Sequence, residues 1–206
     1  MQFRQLLAGV TLIVLGNFCC DLQAQVAPSD LTAAQALRDR IAALSPSVRA
    51  DEAQRVAESA YATAAQLRRD YGVIGGPPSF HNFLVNLGIR KRGLCFQWAE
   101  DLLVQLDALK LRTLELHWAE ARAGSWREHN CVVVTAKGQR FREGIIFDCW
   151  RHSGHLFWSP LVTDHYPWIE DRNYATVVRS KFSATKKSRL ADLRNTDLGS
   201  VRRTGL

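Results

Sequence analysis

The sequence lacks the cysteine pattern of a disulfide-stabilised or zinc-binding protein. Two of its five cysteines, Cys19 and Cys20, fall in an N-terminal apolar segment, and the remaining three cannot all pair with one another. No disulfide framework is therefore indicated. The spacing Cys149-x2-His152-x2-His155 has no second cysteine pair to accompany it, so it does not match a structural zinc site. We predict no metal site and no cofactor.

The sequence has little net charge outside the C-terminus. Residues 179–206 contain eight Lys or Arg and two Asp or Glu, so they carry +6 of the net charge of +7. A basic tail is not a basic binding face, and we predict no nucleic-acid partner. The tail has the composition of a disordered segment. Its charge suits weak contact with an anionic polymer or a membrane surface, and a purely solubilising role is the alternative.

Only one long apolar run is present, from Leu6 to Phe18. It is shorter than the roughly 20 residues that a membrane-spanning helix needs. Arg4 precedes the run and Ala24 offers a small residue at a cleavage point, so residues 1–24 are typical of a signal peptide. We expect an exported protein, periplasmic or secreted. The alternative is a membrane-anchored lipoprotein that is lipidated on one of the two leader cysteines.

Helical patterns come before strand patterns along the chain. Apolar residues recur at helical spacing in four segments: 30–44, 50–71, 79–87 and 95–109. Alternating or continuous apolar runs, typical of strands, occupy most of 111–170. This order predicts an α+β fold in which N-terminal helices pack on an antiparallel β-sheet. The length suits a single domain over residues 29–178.

Cys95 stands at the start of a predicted helix, two residues after Gly93. A thiol at a helix N-terminus lies among unpaired backbone N–H groups, at the positive end of the helix dipole. Both features favour the thiolate, which is the reactive form of cysteine. The same N–H groups can receive the oxyanion that forms when a nucleophile attacks a carbonyl group. Cys95 is therefore a candidate nucleophile.

His129 and Asp148 are predicted to face each other across a β-hairpin. His129 starts one predicted strand, and Asp148 lies near the end of the next. If residues 137–140 form a four-residue loop, simple register puts the two directly opposite, with Cβ atoms roughly 4.5–5.5 Å apart. A carboxylate in this position fixes the tautomer of the imidazole and stabilises the imidazolium. A bulge at Gly144 would shift the register by one residue.

The order of a cysteine at a helix start, a histidine on a strand and an aspartate on the next strand resembles the transglutaminase-like superfamily of papain-like cysteine enzymes. The matching segments are Gly-Leu-Cys-Phe-Gln-Trp-Ala, His-Asn-Cys-Val-Val-Val and Ile-Ile-Phe-Asp-Cys-Trp. The resemblance implies a papain-like core with Cys95 as nucleophile, His129 as base and Asp148 as the third member. It implies an enzyme that hydrolyses or transfers an amide-type acyl group. With the leader, it suggests protein or peptide substrates in the cell envelope.

Four further residues are candidates for the substrate cleft: Asn82, Gln97, Trp126 and Trp150. The candidates for an oxyanion-stabilising side chain are Asn82, Asn86 and Gln97. Trp126 comes three residues before the histidine and either walls the cleft or packs internally. Trp150 shares a strand face with Asp148 and either shields it from water or belongs to the core. The alternative function is a non-catalytic binding or structural module, in which Cys95 is a small buried hydrophobe. The sequence does not indicate an oligomeric state.

Overall fold

The structure is a computed structural model, and it describes residues 28–182. The predicted signal peptide and residues 183–206 of the predicted tail lie outside the described residues. The helices are α1 Pro28–Ala42, α2 Ala50–Asp70, α3 Pro78–Asn86, α4 Cys95–Asp107 and α5, which covers 172–182. The strands are β1 Leu114–Ala121, β2 His129–Ala136, β3 Ile145–His152, β4 His155–Pro160 and β5 Ile169–Glu170. Within this part of the chain, no helix is both long enough and apolar enough to cross a membrane.

The described chain has an α+β fold, as predicted. Its five strands form one antiparallel sheet in the order β4-β3-β2-β1-β5. The four predicted helices are present, with ends within a few residues of the predicted ones. Strand β1 runs to Ala121 and β2 begins at His129, so the connection between them is only 122–128. That short loop later forms one rim of the candidate site.

The main core lies between the helices and one face of the sheet. Helix α4 packs on β2 and β3, and α2 packs on α4 and β4. Each fully buried leucine in this layer stabilises the fold by about 2 kcal/mol. The helices bury the residues of their predicted apolar stripes, Val56, Ala60, Ala64 and Leu67 of α2 and Ala99, Leu102, Leu103 and Leu106 of α4.

Strand β2 is buried along its whole length. The helices cover one face, and a second apolar cluster around Cys131, Val133 and Ile146 covers the other. A strand covered on both faces is apolar throughout and shows no alternation. This explains the continuous Cys131–Thr135 run. It also means that polar side chains near the N-terminal end of β2 lie in a desolvated environment.

The predicted register between β2 and β3 is wrong by two residues. Val132 pairs with Phe147 and Val134 pairs with Ile145, whereas a four-residue loop would have paired Val132 with Ile145. The connection is longer because Phe141–Glu143 form a 3-10 turn instead of the start of the strand. Gly144 then crosses closely over β2, where an added Cβ would lie 2.5 Å from a Val133 methyl carbon.

The start of the predicted C-terminal tail belongs to a helix. Residues 179–182 continue helix α5, and the rest of the tail lies outside the described residues. Arg179 explains the extension because its Nε lies 3.0 Å from Asp107 Oδ1 and its Nη2 donates to Leu116 O at 2.9 Å. These contacts join α5 to the end of α4 and to β1. The folded domain therefore extends at least to residue 182.

Candidate active site

Cys95 is the first residue of α4, as predicted, and the turn before it is held firmly. Gln97 Oε1 accepts hydrogen bonds from the N–H groups of Gly93 at 2.7 Å and Leu94 at 3.1 Å. Trp98 Nε1 donates to Gly93 O at 2.9 Å. Gln97 thus caps the helix that carries Cys95. It does not line the cleft described below, so its prediction as a cleft residue is corrected.

Gly93 is required at the entry to this helix. Its φ is +132°, in a region that favours glycine, and an added Cβ would lie 2.2 Å from His81 Nε2. His81 is buried, and its Nε2 lies 2.9 Å from Arg92 O. The imidazole of His81 therefore occupies the space that a side chain at position 93 would need. The position of Cys95 depends on this close contact.

His129 and Asp148 are in direct contact. His129 Nε2 lies 2.7 Å from Asp148 Oδ2, and both side chains are almost completely buried. The two-residue shift in register moved Asp148 off the position directly opposite His129 but kept it on the same face of the sheet. Burial disfavours the imidazolium, yet the hydrogen bond to Asp148 and the neighbouring Cys95 raise the pKa of His129 to about 9.

Asp148 is held by several donors besides His129. Its Oδ1 accepts hydrogen bonds from the N–H groups of Trp150 at 2.9 Å and Arg151 at 3.0 Å, and its Oδ2 accepts one from Arg151 Nε at 3.1 Å. Burial would raise the pKa of Asp148, but the bond to His129 and the charge of Arg151 hold it below its ordinary value. The carboxylate is therefore ionised and fixed in orientation.

A second carboxylate holds Arg151 in turn. Arg151 Nη1 lies 2.6 Å from Asp164 Oδ2. Asp164 Oδ1 accepts hydrogen bonds from the N–H of Tyr166 and from Nε1 of Trp168. The result is a continuous chain of contacts from Asp164 through Arg151 and Asp148 to the imidazole. Sequence reasoning missed Arg151 and Asp164 as parts of the site.

Three aromatic rings enclose the imidazole of His129. The ring centroids of Trp150, Tyr166 and Trp168 lie 4.8, 5.0 and 5.4 Å from that of His129. Tyr166 and Trp168 come from the aromatic segment after β4, which packs on the second apolar cluster of the sheet. The rings limit access of water to the imidazole and fix its plane.

The sulfur of Cys95 approaches the start of β2. Cys95 Sγ lies 3.7 Å from Glu128 O and 3.6 Å from Asn130 Oδ1, contacts of hydrogen-bond length for a thiol donor. His129 Nδ1 is buried and has no hydrogen-bond partner in the described chain. Cys95 is near enough to raise the pKa of His129, although the thiol points to the two oxygens. Asn130, a buried residue beside the sulfur, was not predicted as a site residue.

Cys95 and His129 open onto one cleft of about 410 Å³. Three of the four predicted cleft residues line it, namely Asn82, Trp126 and Trp150. Trp126 is 93% exposed, so it forms the rim and does not pack internally. Asn82 Oδ1 accepts a hydrogen bond from Trp150 Nε1 at 3.0 Å. Because an indole N–H only donates, this bond fixes the amide orientation and leaves the NH₂ group of Asn82 for another partner.

The other two described cysteines differ from Cys95. Cys131 and Cys149 are free thiols, each no more than 2% exposed, and they lie in apolar clusters on opposite faces of the sheet. Burial raises the pKa of both thiols. Cys95 is half-buried and borders the cleft. In the part of the chain covered by the structure, no group of three His, Cys, Asp or Glu side chains is arranged to hold a metal ion.

The fold and the site define an α+β domain with a cysteine at a helix start beside a buried histidine–aspartate pair. Comparisons of the chain with protein-family models, curated proteins and solved structures gave no match.

Proposed function

We propose that the protein is a cysteine enzyme with a transglutaminase-like, papain-like core that forms an acyl-enzyme at Cys95. One observation carries the proposal. Cys95 and His129 line the same cleft, and one imidazole nitrogen of His129, Nε2, is bound to a buried carboxylate. A nucleophile, a base and a group that orients the base are the parts that covalent acyl transfer needs.

The charge state of His129 suggests the first step. With its pKa at about 9, the imidazole is mainly protonated at neutral pH. A Cys95 thiolate paired with this imidazolium attacks the carbonyl carbon of an amide, and a C–S bond forms. His129 then gives its proton to the leaving nitrogen as the C–N bond breaks. Asp148 keeps the imidazole oriented during the transfer.

The cleft offers donors for the oxyanion of this step. Cys95 and Phe96 occupy the first positions of α4, where backbone N–H groups have no acceptor one turn earlier. The Asn82 amide lines the same cleft with its oxygen already bonded to Trp150. We assign the backbone N–H of Cys95 and the NH₂ of Asn82 as the oxyanion donors. Donors of this kind contribute about 3 kcal/mol each to transition-state binding.

The second step returns the enzyme to its resting state. A water molecule or an amine gives a proton to the neutral His129 and attacks the thioester carbon. The C–S bond then breaks, which releases a carboxylic acid or a new amide and restores the thiolate. Since the cleft is open to solvent, water reaches the acyl-enzyme and hydrolysis is the expected default. The predicted leader points to protein or peptide amides of the cell envelope as substrates.

An acylation burst tests the proposal. The mature protein is mixed with excess p-nitrophenyl acetate near neutral pH, and release of p-nitrophenolate is followed with mass analysis of the chain. We expect a burst of about one equivalent and an acetyl group on Cys95. Cys95→Ala should abolish the burst, whereas Cys131→Ala, which removes a buried thiol, should retain it.

The same experiment separates the proposal from a non-catalytic module that keeps the fold. A module of that kind would acetylate slowly at scattered lysines, with the same time course in the wild type and in Cys95→Ala. That result would reject the acyl-enzyme.

A further inference from the structure

The loop between β1 and β2 forms a defined rim of the cleft. All its residues, 122–128, are exposed, yet internal hydrogen bonds fix its shape. Gly124 N–H donates to Glu128 Oε2 at 2.8 Å, and Ser125 Oγ donates to Arg122 O at 2.7 Å. The N–H of Glu128 donates to Ser125 O at 3.0 Å. The loop therefore presents its outward side chains from a fixed backbone.

Two of those outward side chains are arginines that line the cleft without a carboxylate partner. The guanidinium of Arg122 lies 5.6 Å from the ring centre of Tyr166, and that of Arg127 lies 5.7 Å from the ring centre of Trp126. Neither forms an ion pair within the described chain, whereas Arg151 next to the site pairs with two carboxylates.

The single carboxylate that lines the cleft in the described chain offsets only one of these two positive charges. It belongs to Glu128, and its Oε2 accepts the hydrogen bond from Gly124 N–H within the loop. Asp148 lies behind His129 and is buried. The rim of the cleft therefore carries a net positive charge. Trp126, which lies between the two arginines in the sequence, adds a flat and exposed apolar surface to it.

We propose that Arg122 and Arg127 bind a carboxylate group of the acyl donor, while Trp126 packs on the adjoining apolar part of it. This inference rests on the proposed function. Guanidinium groups bind carboxylates through paired hydrogen bonds, and Trp and Arg dominate recognition surfaces. Tyr166 contacts both Arg122 and His129, so it links the proposed anion site to the imidazole. The substrate class is an acidic peptide or a similar acyl donor with a carboxylate near the reacting amide.

Two alkylating reagents that differ in charge test the inference. Iodoacetate and iodoacetamide deliver the same methylene carbon and lose the same iodide, but only iodoacetate is an anion. Their rates at Cys95 are measured by mass spectrometry at low salt, in the wild type and in Arg122→Gln/Arg127→Gln. The attraction of the two arginines for the iodoacetate anion acts over a Debye length of about 10 Å at 0.1 M salt, and further at lower salt. It therefore raises the local concentration of iodoacetate near the Cys95 sulfur.

We expect the double variant to lower the ratio of the iodoacetate rate to the iodoacetamide rate by roughly three- to tenfold. The iodoacetamide rate should stay within about twofold of the wild type, which shows that the fold and the thiol are intact. Arg142→Gln, an exposed arginine away from the cleft, should leave the ratio unchanged. Salt at 0.5 M should reduce the wild-type ratio toward that of the double variant.

The two proposals fail in different ways. If iodoacetamide labels Cys95 rapidly but the rate ratio is the same in the wild type and the double variant, the carboxylate site is rejected and the acyl-enzyme stands. If iodoacetamide labels Cys95 no faster than the buried thiols, the acyl-enzyme is rejected. The carboxylate site is then rejected with it, because that inference rests on the acyl-enzyme.

Discussion

His129 Nε2 and Asp148 Oδ2 lie 2.7 Å apart, and neither side chain is more than 2% exposed. This contact leaves Nδ1 as the second nitrogen of the imidazole, buried and without a hydrogen-bond partner in the described chain. A buried N–H without a partner costs about 1–3 kcal/mol. A thiolate or a leaving group in the cleft would accept a hydrogen bond from this nitrogen, so the proposed reaction would supply the missing partner.

We expect iodoacetamide to label Cys95 at least tenfold faster than Cys131 or Cys149 near neutral pH. Cys95 borders the cleft, whereas the other two thiols are buried and burial raises their pKa values. Peptide mapping by mass spectrometry after timed exposure measures the three rates. His129→Ala should slow labelling of Cys95, because the imidazolium no longer stabilises the thiolate. Equal, slow labelling of all three would contradict the prediction.

The stability of the protein should depend on pH through His129. The pKa of His129 is raised from 6.5 to about 9 in the folded state, so the ion pair with Asp148 contributes its full stabilisation below pH 6.5. That stabilisation is lost as pH rises toward 9, and it amounts to roughly 3 kcal/mol. Urea unfolding at several pH values measures it. The stability difference between the wild type and His129→Gln should shrink across this range. A constant difference would show that folding does not raise the pKa of His129.

Asp164→Asn should destabilise the fold by about 1–3 kcal/mol. The amide oxygen can still accept from Tyr166 and Trp168, but the charge opposite Arg151 is lost and the half-buried guanidinium is left with one carboxylate. Denaturant unfolding gives the free energy. Arg142→Gln is the matched control, since Arg142 is exposed, and it should change stability by less than about 0.5 kcal/mol.

Arg151→Gln should change two measurable properties, the stability of the protein and the pKa of His129. It removes a positive charge from Asp148, so the pKa of His129 should rise even as the protein loses stability. An NMR titration of His129 would detect this. A purely structural role for Arg151 predicts the loss of stability without the rise.

Gly93→Ala should cost more stability than Gly138→Ala. Both glycines have positive φ, +132° and +75°, so both substitutions strain the backbone. Only position 93 also has a clash, because the added carbon would meet His81, whereas nothing lies within 4 Å at position 138. We expect a difference of about 1–3 kcal/mol in unfolding free energy. Labelling of Cys95 should slow only in Gly93→Ala, since the helix that carries the thiol must shift.

Local patterns predicted the elements of the fold because helical and strand periodicities depend on nearby residues. They placed Cys95 at a helix start and His129 and Asp148 on neighbouring strands, and the structure brings the histidine and the aspartate into contact. The register between β2 and β3 could not be predicted in the same way. It depends on the 3-10 turn Phe141–Glu143 and on the close crossing at Gly144, which are tertiary features.

Parts of the site that local reasoning missed have two different origins. Gln97 is three residues after the N-cap, where a Gln side chain commonly reaches back to backbone N–H groups, so its capping role was available from the sequence. The pairing of Arg151 with Asp164 was not, because it joins a strand to an irregular segment that follows the next strand. The same holds for the contact of Cys95 with Asn130, which depends on how α4 packs on β2.

The parity of the β2–β3 pairing has a consequence for changes in chain length. The turn at 141–143 can shift the strands by two residues and still leave Asp148 on the side of the sheet that His129 occupies. A slip by a single residue would turn the carboxylate into the apolar layer beneath the helices and present Cys149 to the imidazole instead. Insertions or deletions between these strands that change the register are therefore compatible with the histidine–aspartate contact only when the shift is an even number of residues.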